Sequence, residues 1–103
     1  MHEEDERLKC YACGEVHENA KLVTTIDGRV MGNYQEAWFR HNEAVWVLKT
    51  YRSKRTRTAY LDSVGEKRGQ AARAALRAEM LLVWQWKEEK KNEFYGAMGR
   101  GNL

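Results

Sequence analysis

The chain has 103 residues, 43% hydrophobic and 32% charged, with a net charge of +3. That is enough for one domain with one core. The charge density excludes a lipid-buried chain, because no apolar run approaches the ~20 residues a spanning helix needs. Two cysteines and no proline argue against a disulfide scaffold and for helices, whose interiors proline interrupts.

Residues 1–8, within "MHEEDERLK", read as an acidic, flexible leader without the apolar region of a signal peptide. A soluble protein is therefore expected, in the cytoplasm, at the nucleoid or inside an infected host cell. Next comes "KCYACGEVHENAKLV". Cys10 and Cys13 have the C-x-x-C spacing whose turn aims two thiolates at one ion, and Gly14 supplies the backbone freedom such a turn requires. Outside an oxidising compartment this spacing is read as metal-binding or redox-active, and no βαβ pattern surrounds it to favour redox chemistry.

Leu22–Ile26 is a β-prone run and Arg29–Met31 a return strand, with Asp27-Gly28 between them as a two-residue hairpin turn. From Tyr34 the period changes. Tyr34, Trp38, His41, Val45, Leu48 and Arg52 recur at spacings of three and four, which predicts a helix. The pattern resumes at Tyr60, Leu61 and Val64 after "SKRTRT", and Gly65 is expected to stop it. "EKRGQAARAALRAEMLLVWQWKEEKKNEF" is rich in strong helix formers. Its Ala-rich start offers close approach to another helix, including that of a homodimer partner.

The fold class expected is mostly α with a small β-hairpin (α+β): a zinc knuckle and hairpin packed on two long helices. The single compact domain spans 9–95, with knuckle and hairpin over 9–33 and helices over about 34–64 and 66–95. A flexible tail, 96–103, follows.

Zinc requires four ligands in tetrahedral array. The order knuckle, hairpin, helix is that of a treble clef, in which the later ligands come from the start of the helix. His41 is accordingly the expected third ligand and His17 the expected fourth, with His2 and Glu36 as poorer choices. The order Cys-x-x-Cys-Gly, "LV", "DGRVMG" and "WFRHN" over residues 9–45 resembles the HNH and recombination endonuclease VII nucleases. The resemblance implies a zinc module. Trp38 and His41 stand where that family has its second cysteine pair, and Asn42 falls at its Asn. The place of the family's catalytic Asp/His cluster reads "VTTIDGR", which has no histidine for metal binding or general-base work. A non-catalytic protein is expected.

The charge is polarised. Residues 49–77 hold nine bases (Lys49, Arg52, Lys54, Arg55, Arg57, Lys67, Arg68, Arg73 and Arg77) against Asp62 and Glu66, while residues 1–18 are net acidic. Arg and Lys interleaved with Ser, Thr and Tyr hydroxyls suit phosphate contacts, so the leading expectation is a zinc-stabilised nucleic-acid-binding protein, for DNA or RNA. Tyr51, Tyr60 or Trp46 would stack on bases. The same basic segment equally reads as a solvated helix face. The second expectation, of nearly equal weight, is a phage-type regulator or inhibitor that docks on a larger host nucleic-acid-processing enzyme. Its interface aromatics would be drawn from Trp46, Trp84 and Trp86. An active nuclease is the third.

Overall fold

A computed structural model describes the backbone of residues 5–102 and the side chains of residues 5–91. Strands β1 (Leu22–Thr24) and β2 (Val30–Gly32) pair antiparallel, with Val23 opposite Met31. Three helices follow: α1 (Glu36–Thr50), α2 (Lys54–Arg68) and α3 (Gln70–Asn102). This is the small α+β architecture expected, with a different division of the helices.

The expected helix over 34–64 is two helices. α1 ends at Tyr51, whose backbone is extended, and Ser53 starts α2 as an N-cap, accepting a hydrogen bond from the Thr56 N–H at 3.2 Å. A capping serine satisfies a backbone donor that continued helix would leave to the preceding turn, and here it outweighs the periodicity that runs through it. Nor does Gly65 stop the helix. It lies buried inside α2, where an added Cβ would meet Gln70 and Arg73 of α3 at 2.8 and 3.2 Å. The break falls at Gly69, with φ of +95°, a conformation that suits glycine.

α3 lies against both other helices, and the core forms where they meet. Ala44 and Val47 of α1, Leu61 and Val64 of α2, and Leu76 and Met80 of α3 make one buried cluster. Each pair recurs at a spacing of three or four, so each helix turns one face inward. The hairpin turn is also longer than the sequence implied. Thr25 N–H bonds Arg29 O at 2.8 Å and Gly28 N–H bonds Thr25 O at 3.0 Å, which leaves a three-residue loop with Gly28 at φ +89°. Asp27 is its turn residue, and its carboxylate accepts from Thr25 and Arg29.

Part of the expected flexible leader is ordered. Residues 1–4 lie outside the described residues, but Glu6–Leu8 form a 3-10 turn capped by Asp5. This turn lies on β2 so closely that a Cβ on Gly32 would stand 1.5 Å from the Arg7 carbonyl oxygen. At the other end, helix α3 continues through 96–102, where a flexible tail was expected.

Candidate metal centre and basic cleft

The knuckle is a tight reverse turn. Cys10 N–H bonds Glu15 O at 2.9 Å, Gly14 N–H bonds Cys10 O at 2.8 Å, and Lys9 bridges Val16. Gly14 has φ of +77°, as the C-x-x-C-G spelling required. The turn brings Cys10, Cys13 and His17 together with their ligand atoms within 4.8 Å of one another. Cys13 Sγ lies 3.4 Å from His17 Nε2, close to the roughly 3.5 Å that tetrahedral zinc would impose from its Zn–S and Zn–N bond lengths. The three residues are close enough to hold a metal ion.

The surroundings favour the metal-ready form of this site. Backbone N–H groups of Ala12 and Cys13 point at the Cys10 sulfur and, with His17, pull its thiol from 9.0 down to about 7. The His17 ring packs on Tyr34 with centroids 4.4 Å apart, and Tyr11 N–H bonds the Tyr34 carbonyl at 3.1 Å. The knuckle is thereby seated at the entry to α1. Cys10 is buried, whereas Cys13 and His17 are exposed.

His41, the expected third ligand, is committed elsewhere. It is 1% exposed, and its Nδ1 lies 2.9 Å from Glu79 Oε2 while its Nε2 faces the Ile26 N–H at 3.4 Å. With Nδ1–H donating to the carboxylate, Nε2 accepts from Ile26, so neither nitrogen retains a lone pair for a metal. Glu79 also takes both terminal nitrogens of Arg29, and Arg29 in turn bonds Asp27 at 2.8 Å. Burial pushes the Glu79 carboxyl up, but the bonds from Arg29 and His41 outweigh it and hold it below its ordinary 4.5. Glu79 and Arg29 were not among the site residues expected from the sequence. An acid beside Leu76, Met80 and Val83, which are buried along α3, was the available signal, since a buried carboxylate demands a partner. Glu36, also weighed as a ligand, instead pairs with Arg40 at 3.4 Å, and His2 lies outside the described residues.

The basic residues divide into two groups. Arg68 pairs with Glu43 at 2.6 Å and Arg73 with Asp62 at 3.1 Å. Both charges are answered within the fold. Lys49, Arg52, Lys54 and Arg77 make no ion pair among the described residues, nor do Arg55 and Lys67. The first four of these, with Arg57 and Lys87, gather around Trp84. Two adjoining concavities, of about 380 and 240 Å³, share Leu48, Arg57 and Trp84, and none of the described residues lining them is acidic. Arg57 holds the junction of α1 and α2 by donating to the Arg52 carbonyl at 3.2 Å, and its guanidinium stands 5.4 Å from the Trp84 ring centroid. Trp46 is 49% exposed but packs edge-on against Tyr51 and Tyr60, and Trp86 is half-buried.

No curated protein and no solved structure matches this chain. A family model described as a family of unknown function, DUF7696, matches residues 31–87. That segment holds Met31 and Gly32 of β2, the helical core, His41, Glu79 and the residues lining the Trp84 cleft, and it begins after the Cys10–Cys13 knuckle. The match covers more than half of the chain, which therefore belongs to the DUF7696 family.

Proposed function

We propose that this protein is a non-catalytic nucleic-acid-binding module whose knuckle carries a zinc ion. The observation that carries the binding reading is the gathering of Lys49, Arg52, Lys54, Arg57, Arg77 and Lys87 around one exposed tryptophan, with no acid among the described lining residues. Cations without an ion pair among the described residues, converging from three helices, raise the local potential and attract a polyanion. A base-reading motif is lacking in the sequence, so phosphate contacts dominate and binding falls with salt. The zinc reading rests on donor chemistry. Two thiolates and an imidazole suit zinc better than the hard cations calcium and magnesium, and solvent or a group beyond the described residues completes the fourth position.

A titration of labelled DNA and RNA across salt concentrations tests the binding. Engagement of about five phosphates gives a log-log slope near −4 to −5 on duplex DNA, and removing one cation such as Arg52 lowers it by about 1. Binding that is absent, or indifferent to salt, sinks the reading. Metal analysis of untagged protein tests the zinc: one ion per chain is expected, lost in Cys13→Ser. Divalent-metal-dependent cleavage of a plasmid would overturn the non-catalytic assignment.

A second reading, docking on a host nucleic-acid-processing protein, draws on another face. Tyr11 and Phe39, 59% and 48% exposed, border a concavity of about 530 Å³ floored by Ala71, Ala72, Ala75 and Leu76. A photo-crosslinking group at position 39 would capture one specific protein in cells, and a group at position 84 would not. Capture of nothing at position 39 counts against it.

A further inference from the structure

We infer that the Trp84 cleft takes single-stranded nucleic acid, with a base stacked on the Trp84 ring and the neighbouring phosphates held by the cations on either side. This rests on the nucleic-acid reading above and narrows it to a substrate class.

Three observations carry it. The first is the state of the ring. Trp84 is 44% exposed on α3, and the one ring contact that engages it among the described residues is the Arg57 guanidinium. The other aromatics near the basic segment are used differently. Trp46, Tyr51 and Tyr60 lie within 5.6 to 5.8 Å of one another, centroid to centroid, so they pack as a cluster of their own. Trp84 is the aromatic left beside the cations.

The second is the arrangement of charge. Lys49, Arg52 and Lys87 line the concavity on one side of the Arg57–Trp84 wall, and Lys54 and Arg77 line the other. A strand crossing that wall meets cations before and after the aromatic. Such alternation of a stacking surface with phosphate-binding groups is what an unpaired strand requires. Arg57 adds a cation against the same π-system.

The third is scale. The larger concavity, about 380 Å³, has the dimensions of a small-ligand site, and the adjoining one, about 240 Å³, is smaller still. A duplex keeps its base faces inside the stack and presents a broad convex backbone. It would touch the rim cations and leave Trp84 unused. An unpaired strand exposes a π-face at every nucleotide, and every base has one, so the stacking is tolerant of sequence.

The test is a fluorescence-anisotropy titration of the full chain with labelled oligothymidine, labelled oligouridine and a labelled duplex of equal length. Single strands are expected to bind at least tenfold more tightly than the duplex. Trp84→Ala should weaken the single strands roughly 10- to 100-fold, as expected for the loss of one stacked base, and leave the duplex unchanged. Trp84→Phe should recover most of the loss. Far-UV circular dichroism checks the fold of each variant. Trp84→Leu, which keeps apolar bulk without a π-face, replaces the alanine variant should that one unfold. Equal affinity for single strand and duplex, both untouched by Trp84→Ala, overturns this inference and leaves the phosphate-binding reading standing. No binding of any probe at low salt overturns both. A preference between oligothymidine and oligouridine, with the Trp84 effect intact, supports the inference and decides between DNA and RNA.

Discussion

The knuckle and the His41–Glu79–Arg29 cluster each use a histidine to fix an irregular segment, but on opposite terms. In the knuckle, Cys10, Cys13 and His17 lie within eight residues of one another, and two of the three are exposed. In the cluster, Arg29 comes from the hairpin, His41 from α1 and Glu79 from α3. The His41 and Glu79 side chains are 2% and 8% exposed. A metal in the knuckle would close a short loop that is already nearly closed by backbone bonds. The cluster joins segments 38 and 50 residues apart. The long-range tie through His41 was expected to be zinc, whereas a buried carboxylate supplies it. Among the described residues the two regions share no side chain, so metal binding at the knuckle and packing of the helices are expected to be separable.

The largest effect that would test this separation is at Glu79. Glu79→Ala leaves the Arg29 guanidinium without its main partner and His41 Nδ1–H without an acceptor inside the protein. Breaking a buried pair from one side costs about 3 to 5 kcal/mol, a large share of the roughly 5 to 15 kcal/mol that holds a domain of this size. Urea unfolding should show the loss equally in metal-free and metal-loaded protein. A loss that appears only without metal would mean that the two regions are not independent.

Acid gives the next effect. Glu79 has its folded carboxyl below 4.5, and Asp27 lies below its ordinary 3.8 because Thr25 and Arg29 outweigh its burial. Each native carboxylate holds its proton less readily than the unfolded one. The stabilisation is thus complete above the unfolded values and is lost as pH falls through the folded ones. Thermal unfolding should stay level down to about pH 5 and fall steeply below about pH 4, less steeply in Glu79→Gln. The knuckle obeys a different rule, since protons compete with metal for its thiolates. Metal release should come at a higher pH than helix unfolding. Coincident transitions would break the distinction.

How much of this could be read beforehand differs between the two regions for a physical reason. Cys10, Cys13, Gly14 and His17 are close in sequence, and the turn that joins them needs only local chemistry, so spacing alone announced the cluster. His41 stood on a helical stripe beside Trp38, and periodicity placed it inward, where it is. Its partner could not be read from α1, because Glu79 arrives through the packing of α3. The helix break at Ser53 was written in the sequence as a capping serine, but the periodic run through Arg52 obscured it. The cleft lay in between. The nine bases were legible as a segment, and Arg68 and Arg73 were withdrawn by Glu43 and Asp62 from other turns, while Lys87 joined from beyond the segment.

Cys13→Ser probes the knuckle from the other side. It removes a thiolate at an exposed position, so metal binding is expected to vanish while far-UV circular dichroism keeps its helical amplitude. Amide exchange should quicken at residues 10–17, whose bonds belong to the turn, and remain slow at Ala44, Val47, Leu76 and Val83, which are buried in the core. Loss of helix on this substitution would return the metal to the role of a long-range staple.

The smallest and most discriminating change is His17→Phe. His17 does two things in the fold: its Nε2 stands at the metal site, and its ring packs on Tyr34. Phenylalanine keeps a planar ring of similar size for Tyr34 and offers no nitrogen. If the ring contact seats the knuckle on α1, this variant should keep native exchange protection at Tyr11, whose N–H bonds the Tyr34 carbonyl. Its melting temperature should stay within about 4 °C of the parent, since such a change falls in the ±0.5 kcal/mol range of surface substitutions. Metal affinity should nevertheless fall, because two thiolates remain where three ligands stood. His17→Ala removes both contributions and should lose the metal and the Tyr11 protection together. A phenylalanine variant that behaves like the alanine one would show that the metal, and not the aromatic contact, places the knuckle against the helix.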